Sequence, residues 1–238
     1  MVTQIQLGDI AVDVVQKGIK NIHLSVHPPT GRVRIAAPLH MKTDTIRVFA
    51  ISKLGWIKRQ QTKLRKQERE TPREYLDRES HFCWGKRYLL EVVENYGAAN
   101  VELKHRTIVL RVRPGANDGK KQSVMDEWYR QQLKEEIQPL IVKWGQHMGV
   151  RVARFTVRKM KTMWGSCTPK SRSILINLEL AKKPRDCLEY IVVHELVHLL
   201  EPTHNRRFIS LMDQFMPQWR SHREELNRLP VRHERWGY

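Results

Sequence analysis

Apolar and polar residues alternate with a period of two over much of the first half of the chain. This alternation predicts a hairpin over residues 19–37, in which the segment PPTG turns the chain. The alternating apolar positions are Ile22, Leu24 and Val26 before the turn, and Val33 and Ile35 after it. Further strands are expected over residues 88–93, 101–103 and 108–112.

A helical period follows the hairpin and predicts a helix from Thr43 to about Arg69. Thr43 or Asp44 is the expected N-cap. The second half of this helix, KRQQTKLRKQERE, is strongly charged. It is either a docking surface for a polyanion or an ordinary solvated helix face.

The loop RPGANDGKKQ separates these strands from a region in which helical periods dominate. A helix is expected over residues 123–148, strands over 152–158 and 173–180, and helices over 205–215 and 218–228, after the helix that contains residues 189–200. The predicted domains are therefore a β-rich domain with a basic helix over residues 1–118 and a second domain over residues 119–238. The predicted class is α+β.

The stretch EYIVVHELVHLLEPTHNRRF, residues 189–208, places polar groups in an otherwise apolar helix. His194 and His198 are four residues apart and project from one helix face, with Glu195 beside them. Apolar residues cover nearly every other direction, which predicts a buried helix. Because unsatisfied buried polar groups cost about 1–3 kcal/mol each, these side chains need partners.

A zinc ion satisfies such a pair of histidines, and the HExxH spacing is typical of metalloproteases. Pro202 ends the helix, so the chain can turn back and present His204 as a third ligand. Glu201 lies on the same helical stripe and is the rival third ligand. The alternative to a metal site is a pair of core histidines hydrogen-bonded to backbone carbonyls.

Three protein ligands leave a fourth zinc position for water, with Glu195 as the general base that accepts the water's proton. A developing oxyanion also needs a donor. The candidates are Tyr190, one turn before His194, and His222 or an arginine of the last helices. Tyr190 is alternatively a core-packing residue.

Three segments resemble the YgjP-like metal-dependent hydrolases, a family grouped with the zincin metallopeptidases and more distantly with SprT-like proteins. They are KTMWGSCTPKSRSILINLEL at 161–180, YIVVHELVHLLEPTHNRRF at 190–208 and MPQWRSHREELN at 216–227. The resemblance implies a small N-terminal β-rich domain followed by a zincin-like domain. It also implies His194, His198 and His204 as metal ligands and Glu195 as the base. The family commonly has arginine where this chain has Met163, so a substrate contact by that arginine is not expected here.

The WGSC segment is expected beside this site. In zincins the strand ahead of the metal helix can pair with an extended substrate, and Trp164, Gly165, Ser166 and Cys167 would then form the wall of the cleft. The alternative is a buried loop whose tryptophan fills the core. Cys167 is expected to be a small buried thiol.

Composition adds a strong positive charge, since 43 Lys and Arg face 25 Asp and Glu and give a net charge of +18. Such a field attracts nucleotides, nucleic acid or acidic protein surfaces. Three cysteines and no leader-like start suggest the cytoplasm, and no apolar run approaches the roughly 20 residues needed to span a membrane.

Three functions remain open at this point. The first is a zinc-dependent peptidase. The second is a UTP pyrophosphatase, an activity ascribed to some members of the family that the chain resembles. The third is a nucleic-acid-binding protein with a structural metal, although structural zinc sites usually have four protein ligands.

Overall fold

A four-stranded sheet and two helices form the first part of the chain. The computed structural model describes residues 2–27, 31–66, 74–160 and 163–229. The strands are β1 (Val2–Leu7), β2 (Ile10–Lys17), β3 (His23–His27) and β4 (Arg32–Pro38), in the order β1-β2-β4-β3. β2 and β4 are parallel, and the other two pairs are antiparallel. The predicted hairpin is confirmed as β3 and β4, although Pro28, Pro29 and Thr30 of its turn lie outside the described residues.

The predicted long helix is two helices, α1 (Thr43–Ser52) and α2 (Leu54–Lys66), which meet at Lys53. Residues 67–69 of the prediction lie outside the described residues. The predicted N-cap is wrong, because Lys42 occupies that position with extended backbone and no side-chain cap bond. One face of both helices is buried with the sheet in a core that includes Val12, Val33, Ile35, Ile46 and Ile57.

A second four-stranded sheet opens the next part of the chain. Its strands are β5 (Ser80–Cys83), β6 (Lys86–Glu94), β7 (Asn100–Leu103) and β8 (Thr107–Val112), in the order β5-β6-β8-β7. The three strands predicted here are confirmed as β6, β7 and β8. β6 and β8 run parallel, so the chain crosses over through β7 between them.

A three-stranded sheet follows a long helix. The helix α3 (Asp118–Met148) begins five residues before the predicted start, because the Asn117 side chain accepts a hydrogen bond from the Lys120 amide at 2.9 Å and caps it. Gly149 ends it in the left-handed conformation, with φ of 66°. The strands are β9 (Arg154–Arg158), β10 (Gly165–Thr168) and β11 (Ser173–Asn177), in the order β10-β11-β9.

Three more helices complete the described chain. They are α4 (Arg185–Val197), α5 (Arg206–Phe215) and α6 (Trp219–Arg228). The predicted strand over 173–180 ends at Asn177, where a 3₁₀ turn (Leu178–Lys182) replaces it and leads into α4. Among the described residues, no helix has both the length and the apolar character needed to cross a bilayer.

The chain divides into two compact units, one with the described residues up to Lys66 and the other with those from Glu74 to Leu229. The boundary predicted at residues 118 and 119 falls inside the second unit, at the start of α3. The reason is a shared core. Leu90 and Ile108 of the second sheet belong to the same buried cluster as Leu133 of α3 and Val193 of α4. Within the unit, helices and sheets together form a mixed α+β fold.

Candidate metal centre

The helix α4 is buried on nearly all sides, as its apolar sequence predicts. Seven of its apolar residues are buried: Cys187, Leu188, Ile191, Val192, Val193, Leu196 and Val197. The helix packs against α3, α5 and α6 and against β10 and β11. The start of the helix is exposed at Arg185 and Asp186, and His194 and His198 lie towards its other end, each half-buried.

The structure brings His194, His198 and His204 together. One potential ligand atom from each histidine lies within 4.8 Å of the other two. The Nε2 atoms of His194 and His204 are 3.0 Å apart. Nitrogen ligands about 2.0–2.1 Å from a tetrahedral zinc are themselves about 3.3 Å apart, so the three imidazoles fit a zinc ion.

Hydrogen bonding selects which nitrogen of His198 faces the cluster. Its Nδ1 lies 3.2 Å from the Glu201 carbonyl oxygen, which accepts a hydrogen bond from the Nδ1–H and leaves Nε2 of the neutral ring unprotonated. The Glu201 carboxylate bonds instead to the amide of Thr203 at 3.2 Å and to its hydroxyl at 2.9 Å. Glu201 thus stabilises the turn after α4, and His204 is the third member of the cluster.

Phe208 is a buried residue that packs against the whole cluster. Its ring centroid lies 4.9 Å from that of His194, 4.7 Å from that of His198 and 4.7 Å from that of His204. The Asn205 side chain caps α5 by accepting from the Phe208 amide at 3.0 Å, which fixes where this helix begins. Phe208 was not predicted as a site residue. Its signal in the sequence is its position four residues after His204, in the first turn of the predicted helix over 205–215.

The lowered pKa values of His194 and His198 favour the neutral form that binds metal. Burial, followed by the neighbouring His198 and His204 and by the charge of Arg223, lowers the pKa of His194 to about 3. Burial is also the main reason that the pKa of His198 is lowered. Neutral imidazole is the ligand form, so His194 and His198 can bind a cation without first losing a proton.

Glu195 lies against the edge strand β10. It is buried, and its burial raises the pKa of its carboxyl to about 8. A Cβ atom on Gly165 would come within 3 Å of three Glu195 atoms: Oε1, Cδ and Cγ. Gly165 therefore provides the space that the carboxylate occupies, and any larger residue there would displace it. This contact joins the predicted cleft residue Gly165 to the predicted base.

Asn177 holds the segment before Gly165 in place. Its side-chain amide donates to the carbonyls of Met160, at 3.0 Å, and Met163, at 2.8 Å, and its oxygen accepts from the amide of Met160 at 3.2 Å. The backbone amide of Asn177 also donates to the Trp164 carbonyl at 2.9 Å. The sequence analysis missed this residue because its role depends on loop contacts that no local pattern shows.

The other predicted site residues lie in different places. Tyr190 is buried with its ring 6.0 Å from that of His194, while Trp164 is partly buried against the core. Ser166 lies on β10. His222 lines a cavity of about 340 Å³ with Trp144 and Glu189, and none of the three clustered histidines lines that cavity.

Arg223 is the arginine of the last helices whose charge acts on the site, since it contributes to the lowered pKa of His194 after burial and the other imidazoles. Cys167 is a partly buried thiol whose pKa is raised to about 11 by burial and by the nearby Glu195. Its partial burial against the core agrees with its prediction as a packing residue.

Comparisons with known proteins identify one family for this chain. No protein of curated function matches the chain. The chain is similar to the metallopeptidase zymogen abylysin of Pyrococcus abyssi, with 18% identity and a TM-score of 0.36 over 38% of this chain and 90% of that chain. It is also similar to the metallopeptidase zymogen jannalysin of Methanocaldococcus jannaschii, with 15% identity and a TM-score of 0.33 over 40% of this chain and 92% of that chain. Residues 20–229 match the YgjP-like, metallopeptidase domain model, and the chain therefore belongs to the YgjP-like metallopeptidase family.

Proposed function

We propose that the protein is a zinc-dependent peptidase in which His194, His198 and His204 hold the metal and Glu195 is the general base. The observation that carries the proposal is the grouping of three imidazoles, whose potential ligand atoms lie within 4.8 Å of one another, at the end of the helix that also carries a buried carboxylate. Membership in the family supports a metal-dependent hydrolase.

The ion supplies the part of the chemistry that the side chains lack: zinc lowers the pKa of a bound water from 15.7 to about 7 and polarises a carbonyl. Glu195 then accepts the proton of the attacking water. Its carboxyl has a pKa of about 8 because of burial, and a nearby positive charge favours the ionised form that a base requires. Gly165 has no side chain and so leaves the space that this carboxylate occupies.

A peptide substrate fits the edge of the three-stranded sheet. β10 is at one end of the order β10-β11-β9, and no other strand in the described ranges pairs with its outer edge. An extended peptide can add to such an edge through backbone hydrogen bonds. Because Gly165 of β10 contacts Glu195, a peptide bound along this edge passes close to the base. This arrangement favours a peptide over a nucleotide.

Arg223 and Tyr190 are the donors that we assign to the developing oxyanion. Tyr190 is one turn before His194 and its ring lies 6.0 Å from that of His194. Arg223 contributes positive charge at the same imidazole. His222 is not assigned this role, since it lines a cavity with Glu189 on another side of α4.

The chemistry of the site also serves phosphoanhydride cleavage, and the charge of +18 suits a triphosphate. The UTP pyrophosphatase is therefore the second candidate. The two are separated by assaying the zinc-loaded protein and its Glu195→Gln variant on casein and on UTP. A peptidase degrades casein and loses this activity in the variant, whereas a pyrophosphatase releases pyrophosphate from UTP instead. A nucleic-acid-binding protein with a structural metal shows neither activity.

A further inference from the structure

The three-stranded sheet has one apolar face and one polar face. Alternate residues of each strand share a face. On the inner face, Val157, Ile174 and Ile176 are buried, and the sheet packs against α4. The opposite side, here called the outer face, carries six polar residues that line a single depression of about 300 Å³: Arg154, Thr156, Arg158, Ser166, Thr168 and Ser173.

The charged residues that line the depression on the outer face are both basic. Residues 150–178, which include all three strands, contain seven Lys and Arg and no Asp or Glu. Arg154 and Arg158 are exposed, and neither takes part in an ion pair within the described part of the chain. They line the same depression as Ser166 and Thr168 of the edge strand β10, which β11 separates from β9.

The backbone of β10 determines how a peptide would lie on this edge. In an antiparallel pair, residues that bond to the partner strand alternate with residues whose backbone groups point away from it. The Asn177 amide donates to the Trp164 carbonyl at 2.9 Å, so Trp164 and Ser166 face β11. Gly165 and Cys167 therefore direct their backbone groups away from β11, towards the edge of the sheet, where a substrate strand would pair with them.

Side-chain direction then follows from the register. Residues opposite each other in a sheet have their side chains on the same face. Substrate residues opposite Gly165 and Cys167 point to the inner side, where Glu195 lies, and the residues between them point over the outer face. Every second side chain of a bound peptide thus extends towards the depression that contains Arg154 and Arg158.

We infer that the outer face is a specificity subsite that selects peptides with acidic side chains at alternate positions. This inference rests on the proposed peptidase function and adds the class of substrate. A carboxylate over the outer face can accept hydrogen bonds from the hydroxyls of Ser166 and Thr168 and pair with the arginines. The depression is continuous with the edge strand that contacts Glu195, which favours an acidic peptide over a nucleic acid.

Binding and cleavage of matched peptides test the inference separately. The probes are fluorescent peptides of repeating Glu-Ala or repeating Gln-Ala. Because the repeat is two residues long, every side chain over the outer face is of one type, and in one of the two registers these side chains are all Glu or all Gln. Their affinity is measured by anisotropy with zinc-loaded Glu195→Gln protein, so that binding does not depend on turnover. We expect the Glu peptide to bind about three- to tenfold more tightly at low salt, and this preference to decrease at high salt.

Two double variants distinguish a local subsite from the general charge. Arg154→Gln with Arg158→Gln should abolish the preference and leave the Gln-peptide affinity within about twofold. Arg87→Gln with Arg106→Gln removes the same charge at exposed positions of the second unit and should leave the preference intact. Equal binding of both peptides to the parent protein, or an equal loss of preference in both double variants, overturns the inference.

Two further outcomes are informative. If oligo(dT) binding depends on Arg154 and Arg158 while the peptide preference does not, the face serves nucleic acid and the inference is wrong. If the Glu peptide is preferred but the unmodified protein cleaves neither peptide, the inference stands as a binding property and the proposed peptidase function fails.

Discussion

Replacing Gly165 with alanine adds one methyl group where the fold provides space for the Glu195 side chain. The backbone of Gly165 is in a strand and does not have a positive φ, so the substitution introduces no conformational strain of its own. The new Cβ would lie 2.9 Å from both Cδ and Cγ of Glu195 and closer still to Oε1. Because Glu195 is buried, its carboxylate cannot simply rotate into solvent.

The size of the effect follows from the displacement. Ordinary contact distances require the carboxylate to retreat by on the order of 1 Å, and misplacement of a catalytic group by that amount can reduce the rate about 100-fold. Overpacking a buried position typically costs about 1–3 kcal/mol of unfolding free energy. The three atoms nearest to the new methyl group all belong to Glu195, so the variant should still bind zinc.

The assay compares kcat/KM on casein, zinc content and urea denaturation for the parent protein, Gly165→Ala and Gly119→Ala. Gly119 is a matched control, because a Cβ there lies in a helix with only the Asn117 side chain within 4 Å. We expect Gly165→Ala to retain zinc and to lose about 100-fold in kcat/KM. We expect no comparable loss in Gly119→Ala. A folded, zinc-loaded Gly165→Ala protein with activity within about twofold of the parent would refute the role assigned to Glu195.

Three further predictions follow from the packing and protonation of the site. Phe208→Ala removes a ring that contacts all three imidazoles. We expect a loss of about 3–5 kcal/mol in unfolding free energy and weaker zinc binding in chelator competition. Unchanged zinc affinity would contradict the role of the ring. The zinc-free protein should lose on the order of 2 kcal/mol of unfolding free energy between pH 6.5 and pH 5. The folded state holds the pKa of His194 at about 3, so only the unfolded state takes up that proton as the pH falls below 6.5. Zinc-free His194→Ala should therefore lose less unfolding free energy over the same pH range. Cys83 and Cys187 are buried with pKa values raised to about 12, so iodoacetamide at pH 8 should leave both unmodified until the protein is denatured; rapid labelling of the native protein would contradict their burial.

The histidine cluster could be predicted because its signals are local. A four-residue spacing places His194 and His198 on one helix face, and a proline ends that helix before His204. The apolar surroundings indicated burial, which the structure confirms for α4. The pairing of Gly165 with Glu195 was not predictable in the same way, because 30 positions separate them and only the tertiary packing of β10 on α4 joins them.

Three features of the fold were not predicted, and the sequence contains a clear signal only for the first of them. β1 and β2 form a two-residue hairpin in which Leu7 pairs with Ile10, and Gly8 adopts the positive φ of 63° that such a turn needs. The break between α1 and α2 at Lys53 has no proline to mark it. β10 has the sequence GSCT, which lacks apolar alternation, so it is a strand only because β11 pairs with it.

X-ray absorption at the zinc edge of the reconstituted protein is the most direct test of the metal site. We expect one zinc per chain with three imidazole nitrogens at about 2.0–2.1 Å and one further light ligand. Replacing any one of His194, His198 and His204 with alanine should remove one nitrogen from the first shell or abolish binding. A protein that takes up no zinc, or whose zinc spectrum is unchanged in all three variants, would contradict the proposed centre.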